Sequence, residues 1–238
     1  MLKISDRLIQ VAGLIPEGGR LADVGTDHGY IPIWLLERGK IPSAIAMDVN
    51  EGPLLRAREN RDKYGLKQVM ELRLSNGLEK LKPGEADTVL IAGMGGPLMI
   101  RILSEGYSNS EGVSAWVLQP QSEIPSVRRY LIEHGFCIVD EIMLMDEGKY
   151  YMAMKAAPGC EKPWTEVEYL FGKLLLEKNH PVLWDFLKKE KRVYLKILIQ
   201  LTENHQSGTP RYDEVTAYLK ALDKAMNYYD KQGNTYEG

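Results

Sequence analysis

Only two cysteines, Cys137 and Cys160, occur in 238 residues. They cannot build a disulfide framework and give no zinc-ligand spacing, so a reduced compartment and no metal are expected. Long apolar runs are also missing. No uninterrupted segment approaches the roughly 20 residues that cross a bilayer, so no membrane association is expected. Asp6 and Arg7 stand where a secretory leader would need its apolar stretch. Positive charge is not in excess: 30 Lys and Arg against 33 Asp and Glu leave a formal net charge of −3. A protein that coats nucleic acid with its whole surface is thereby disfavoured, while a local basic patch stays open. Internal repeats and low-complexity tracts are absent. What remains is a water-soluble cytoplasmic protein, expected to be a monomer. Its 44% hydrophobic residues can fill a core, and 238 residues suit one large domain or an ordinary domain with a small companion.

The chain is organised around residues 21–30, LADVGTDHGY. A short apolar run ends in Asp23 and Gly25, and a second acid and glycine, Asp27 and Gly29, open a helix. Backbone amides at such a strand–turn–helix join can hold a ligand closely. The dinucleotide fingerprint wants glycine at the first, third and sixth positions, but these are Gly25, Asp27 and Tyr30. A carboxylate at Asp27 would also repel a pyrophosphate. Acids on both sides of Gly25 suit a cofactor with cationic groups and a ribose, a description that S-adenosylmethionine answers with its ammonium and sulfonium.

In chain order, Ser5 caps a first helix with Leu8, Val11, Ala12 and Ile15 at helical spacing. Strands are expected at 21–25, 44–49, 69–75, 88–92 and 115–118, the last halted by Gln119-Pro120. Helices separate them, one of them a polar helix at 53–64 and another at 125–134. Two further strands, 136–145 and 150–155, are joined by a turn at Asp146-Glu147-Gly148. The alternation predicts an α/β fold, a parallel sheet covered on both faces, with an antiparallel strand at one edge as in Rossmann-like methyltransferases. Composition shifts at Pro158-Gly159, dividing the chain into residues 1–160 and 161–238. Beyond it, Leu183, Leu187, Tyr194, Ile197 and Leu201 form one heptad-like seam. Val215, Leu219, Leu222, Met226 and Tyr229 form another, and 207–210 turn between them. An antiparallel, coiled-coil-like helical hairpin is expected.

Several residues are placed for chemistry. Asp48, 23 positions after Gly25, can accept hydrogen bonds from both ribose hydroxyls, or serve as a helix cap. Asn76-Gly77 stands where such folds hold an adenine ring, or is an ordinary turn. Ala92-Gly93-Met94-Gly95-Gly96 ends the fourth strand beside the first loop, where the strand order reverses and ligands bind. Gln119-Pro120 ends the fifth strand, and its amide could face a base edge or cap a turn. His28 is a possible base, or a shaper of the pocket. Lys188, Lys189, Lys191, Arg192 and Lys196, with Tyr194 among them, cluster on the first hairpin helix, and Arg56, Arg58 and Arg61 on the helix after the second strand. Either cluster is a solvated face or part of a phosphate track.

The strings DVGTDHGYIPIWL, AMDVN, LSNGL and IAGMGG, in this order and spacing, resemble TrmK, the bacterial tRNA (adenine-22-N(1))-methyltransferase family. The resemblance spans the chain and implies a class I Rossmann-like methyltransferase domain followed by a helical tRNA-binding domain, with S-adenosylmethionine as cofactor and tRNA as partner. It implies that Asp23, Gly25, Thr26, Asp27, His28 and Gly29 line the methionine end, and that Asp48 and Val49 hold the ribose. Asn76 and Gly77 would hold the adenine, while Ala92, Gly93 and Met94 border the reaction site. The substrate would meet Tyr30, Gly95, Gly96, Gln119, Pro120 and the basic residues Lys188, Lys189, Lys191 and Arg192. Direct in-line methyl transfer to an exposed adenine N1 needs alignment more than a nucleophile. Asp27 and His28 are the candidates for the departing proton. A small-molecule or protein methyltransferase, a non-catalytic RNA-binding protein and an oxidoreductase are the competing readings. Binding to tRNA that weakens with salt separates the first from the favoured reading.

Overall fold

A computed structural model describes residues 1–233. Two compact units divide them, Met1–Lys162 and a second that begins at Pro163.

The first unit starts with α1 (Asp6–Gly13), whose Ser5 cap accepts a hydrogen bond from the Leu8 amide. It then alternates β1 (Leu21–Val24), α2 (Tyr30–Leu36), β2 (Ala44–Asp48), α3 (Glu51–Lys63) and β3 (Met70–Leu74). After a crossover come β4 (Thr88–Met94), α4 (Gly96–Gly106), β5 (Ala115–Pro120) and α5 (Ile124–Glu133), then the hairpin β6 (Phe136–Asp146) and β7 (Lys149–Pro158). The sheet order is β3-β2-β1-β4-β5-β7-β6. Every residue of β1 is buried, as expected of a central strand covered on both faces. Val11, Ala12, Leu14 and Ile15 of the first helical segment pack with Ile33 and Leu35 against one face of the sheet.

Two expectations are corrected. The antiparallel strand does not lie at the edge: β7 sits between β5 and β6, pairing antiparallel with both. The hairpin folds back so that its second strand takes the free side of β5, which leaves β6 outermost. Gln119-Pro120 also does not halt the fifth strand. A register shift between Ala92 and Met94 lets Met94 face Pro120, so both strands run two residues beyond their apolar cores.

The second unit contains α6 (Glu166–Phe171), α7 (Lys173–Glu177), α8 (Pro181–Glu203) and α9 (Pro210–Gly233). Thr165 and Glu168 form a reciprocal capping box at its start. Tyr229 donates to the His180 carbonyl at 2.9 Å, and Lys191 meets Asp223 at 2.7 Å. Low numbers on α8 therefore face high numbers on α9, an antiparallel hairpin. Leu183, Leu187, Val215, Leu219 and Leu222 are buried as the seam predicts, but Ala225 rather than Met226 fills the next inward position. Tyr194, Ile197 and Leu201 are only half-buried.

Candidate functional site

The carboxyl ends of the parallel strands form the edge at which open α/β sheets bind ligands, and the order reverses between β1 and β4. The loop after β1 is pinned there. Gly25 and Thr26 both donate backbone hydrogen bonds to the Met47 carbonyl, at 2.8 and 3.0 Å. Gly25 has φ +79° and Asp27 φ +32°. The second value lies in a region that side chains rarely adopt, so the loop holds Asp27 against a backbone preference. Arg56 of α3 compensates by donating to the Asp27 carboxylate at 2.6 Å, and Asn60 donates to the His28 carbonyl at 3.0 Å. His28 lies with Nε2 3.6 Å from Asp27 Oδ2 and stacks on Tyr30 with ring centres 4.8 Å apart.

Asp23 lies beneath this loop. It is buried, accepts a 2.6 Å hydrogen bond from Thr26 Oγ1, and pairs with no cation among the described residues. Burial, with a further contribution from the charge of Asp48, pushes its carboxyl up to about 7 against the lowering effect of Thr26. A buried acid in this condition is relieved by a cation.

A cleft of about 330 Å³ opens at this point, lined by Asp23, Gly25, Ala92 and Gly93 together with Arg7 and Gln121. Thr26, Asp27, His28 and Tyr30 complete its acidic and aromatic side. Met94 lies against Gly25, since a Cβ there would collide with the terminal methyl of Met94. A larger recess of about 570 Å³ between α3 and β3 has an apolar floor of Leu54, Leu55, Leu72 and Leu74 and no buried acid.

The other sequence candidates fall in several places. Asp48 ends β2 and accepts a hydrogen bond from the Asn50 amide at 2.8 Å, with Val49 exposed beside it. Asn76 and Gly77 follow β3 and line a separate small recess with Ile102 and Gly106. Gly29 caps α2 with φ +68°. Gly95 caps α4 close to Ser122.

Three substrate candidates need correction. Gln119 is wholly buried, and its carbonyl oxygen accepts from the Gly93 amide at 3.1 Å and from Arg7 at 3.2 Å, so it presents no edge to a base. Pro120 is buried in the strand. Gly96 is buried, and its amide donates to the Ser122 carbonyl at 3.1 Å. The arginine cluster on α3 is also largely committed. Arg56 serves Asp27, and Arg61 pairs with Asp62 at 2.8 Å.

On α8, Lys188 pairs with Asp185 and Lys191 with Asp223, while the Arg192 Nε donates to the Lys188 carbonyl. Lys188, Lys189 and Arg192 are exposed. Among the described residues no group of three or more His, Cys, Asp or Glu could hold a metal ion, and no helix is long and apolar enough to cross a membrane.

Sequence reasoning missed Arg7, Leu8, Ile31 and Gln121 as lining of the cleft. Gln121 follows the Gln119-Pro120 pair directly, and that proximity was its signal. Arg7 carried none, because an arginine in the first turn of an amphipathic helix reads as solvated.

Residues 4–154 match the model of a methyltransferase domain family. The tRNA (adenine(22)-N(1))-methyltransferase of Bacillus subtilis (strain 168) is 36% identical over 207 residues, which cover 87% of this chain and 84% of that protein. The crystal structure of the B. subtilis m1A22 tRNA methyltransferase TrmK superposes with a TM-score of 0.84 at 30% identity, covering 94% of this chain and 99% of that one. The structure of M. capricolum TrmK in complex with S-adenosyl-homocysteine gives a TM-score of 0.83 at 28% identity, over 94% and 98% of the two chains.

Proposed function

The chain belongs to the TrmK family of tRNA (adenine(22)-N(1))-methyltransferases, and from that premise we propose that it methylates N1 of adenine 22 in tRNA with S-adenosylmethionine as methyl donor. One observation carries the reading: a buried carboxyl, Asp23, lies at the switch point of the sheet and pairs with no cation among the described residues. A cofactor bearing an ammonium and a sulfonium supplies what the buried acid lacks and carries an electrophilic methyl when bound.

The residues fit such a group. Asp23, Gly25, Thr26, Asp27, His28 and Gly29 hold its amino-acid end, with the backbone of the loop fixed on Met47. Asp48 accepts the ribose hydroxyls beside Val49, and Asn76 and Gly77 border the adenine. Ala92 and Gly93 leave the space above β4 clear of side-chain bulk, and Met94 and Tyr30 border the incoming base. Much of the barrier is lowered by alignment, which a rigid loop and a close glycine turn provide. His28, with its Nε2 near Asp27, is the group that takes the proton leaving the exocyclic amine. The helical unit that begins at Pro163 binds tRNA, with Lys188, Lys189, Lys191 and Arg192 meeting phosphates. The protein works as a cytoplasmic monomer and without a metal ion.

The test is incubation of the protein with labelled S-adenosylmethionine and tRNA, followed by mapping of the modified nucleotide. Label in 1-methyladenosine at position 22, lost when that adenine is replaced by guanine, is the expected result. Label in no tRNA, or at another position, overturns the reading.

A further inference from the structure

The recess of about 570 Å³ between α3 and β3 carries none of the residues assigned to the cofactor. Leu54, Leu55, Leu72 and Leu74 form its floor, and Glu51 and Arg58 stand on its α3 wall. Leu55 is 54% exposed and Leu74 50%. Large apolar side chains left open together on a folded domain mark a surface that something covers. The two faces of β3 differ in this respect. Glu71 and Arg73 point to the face away from α3, and Arg73 pairs there with Glu71 at 2.7 Å and with Glu85 at 2.6 Å. That face carries the paired charges that blunt an edge strand. The α3 face carries bare leucine.

The recess opens at the ligand-binding edge of the sheet. Leu74 is the last residue of β3, and the next amide, that of Ser75, donates to the Asp48 carbonyl at 2.9 Å. Arg58 lies about two turns and 10 Å beyond Glu51 along α3. It is exposed and pairs with no acid among the described residues, whereas Arg56 is held by Asp27 and Arg61 by Asp62. Glu51 is in the first turn of α3, where a helix N-terminus favours a carboxylate. At roughly a Debye length it takes little from the charge of Arg58.

Such a recess suits a ligand with a flat apolar body and a separate negative charge. A peptide strand fits it poorly. Met70 spends its amide on the Leu66 carbonyl at 3.0 Å and its carbonyl on Arg61 at 3.4 Å. Only Leu72 and Leu74 turn backbone groups to the free side of β3, too few for strand addition. A nucleotide has both features, a base with apolar faces and a phosphate one sugar away. On the function proposed above, the protein meets tRNA at this same edge with one adenine already out of its stack.

We propose that the recess between α3 and β3 receives a second unstacked nucleotide of the tRNA, its base against Leu55 and Leu74 and its phosphate on Arg58. The inference rests on the proposed function and adds a specificity contact to it. The recess selects RNA that offers an unstacked nucleotide within reach of the target adenine, which a uniform duplex does not.

Fluorescence anisotropy with tRNA at several salt concentrations, and calorimetry with S-adenosylhomocysteine, test it. Arg58→Ala is expected to weaken tRNA binding about 3- to 10-fold and to lower the salt slope by about one, the loss of one phosphate contact. Leu55→Gln keeps the length of the side chain and removes its apolar surface. It is expected to weaken tRNA binding by about 3- to 10-fold with the salt slope unchanged. Both variants should bind S-adenosylhomocysteine within about twofold of the parent, as independent sites do. A photoreactive p-benzoylphenylalanine in place of Leu74 should cross-link to a single nucleotide other than adenine 22. A loss at Arg58 alone would make it a surface phosphate contact, and a parallel loss of S-adenosylhomocysteine affinity would give the recess to the cofactor. Either result overturns the inference, as does a cross-link spread over many nucleotides. If the parent does not methylate adenine 22, the proposed function fails and the inference with it. If the parent does so and neither substitution changes tRNA binding, the inference alone fails.

Discussion

Thr26 Oγ1 holds the Asp23 carboxyl with a 2.6 Å hydrogen bond but gives it no countercharge. Burial wins over that bond, so Asp23 titrates near 7 in the fold and near 3.8 in a chain that exposes it. The folded state therefore keeps a proton that the unfolded chain has released, and stability falls as pH rises from about 4 to about 7, then levels. A rise of that size corresponds to on the order of 4 kcal/mol. Asp23→Asn should melt higher than the parent at pH 8 and at nearly the same temperature at pH 4. Its cofactor binding should be lost at both. In the parent, affinity for S-adenosylhomocysteine should climb between pH 6 and 7.5 as the carboxylate forms. A flat binding profile across that range contradicts the role given to Asp23.

Asp48 ends β2 with one oxygen accepting the Asn50 amide, which fixes the side chain and leaves the second oxygen for hydroxyls. Asp48→Ala is expected to cost about 10- to 100-fold in S-adenosylhomocysteine affinity, the worth of one or two hydrogen bonds to a charged acceptor. The melting temperature should change little, because the residue is only half-buried. Unchanged affinity in calorimetry removes the ribose assignment.

Gly96 is placed by packing. An added Cβ would come within 2.6 Å of the Ser122 carbonyl oxygen and 3.0 Å of Glu123, both on the loop that leads into α5. Backbone cannot yield as a flexible side chain does, so Gly96→Ala should lower stability by about 1–3 kcal/mol in urea denaturation. At Gly95 the nearest atom is the Ser122 hydroxyl at 3.2 Å, which can turn aside, and Gly95→Ala should be milder. Equal tolerance at the two positions would return Gly96 to the group of substrate-facing residues.

Most of the sheet was legible because its strands are short apolar runs broken by Gly, Pro or Asp. β1 ends at the first loop as Asp23-Val24-Gly25 implied, and Ser5 caps α1 as its position implied. What escaped depended on pairing between distant segments. Residues 92–94 and 119–120 extend their strands only because each lies beside the other, and the place of β7 is set by which edge the hairpin finds. Gln119 resembled a base reader because a polar residue at a strand end is normally exposed. Arg7 arrives 112 residues away in the chain to engage it, and no local pattern encodes that meeting. Arg56 resembled a phosphate contact until Asp27 claimed it.

Arg128 of α5 and Glu141 of β6 form an ion pair at 2.8 Å with both side chains almost fully buried, and Arg128 also reaches the Met152 sulfur at 3.5 Å. Desolvating two charges is expensive, so such a pair adds little net stability over a well-packed apolar pair. Breaking it is another matter. Glu141→Ala removes the carboxylate while the guanidinium stays buried, and should cost about 3–5 kcal/mol. The double substitution Arg128→Met with Glu141→Leu removes both charges and fills similar volume, so it should recover most of that loss. Arg211 and Glu214 on α9 form an exposed pair at 2.7 Å, and Glu214→Ala there should leave stability nearly unchanged. Urea denaturation of the four proteins measures the contrast. If Glu141→Ala is as mild as Glu214→Ala, water reaches the pair at the α5–β6 contact; if the double substitution is as damaging as the single one, the pair specifies the packing of β6 and does more than neutralise charge.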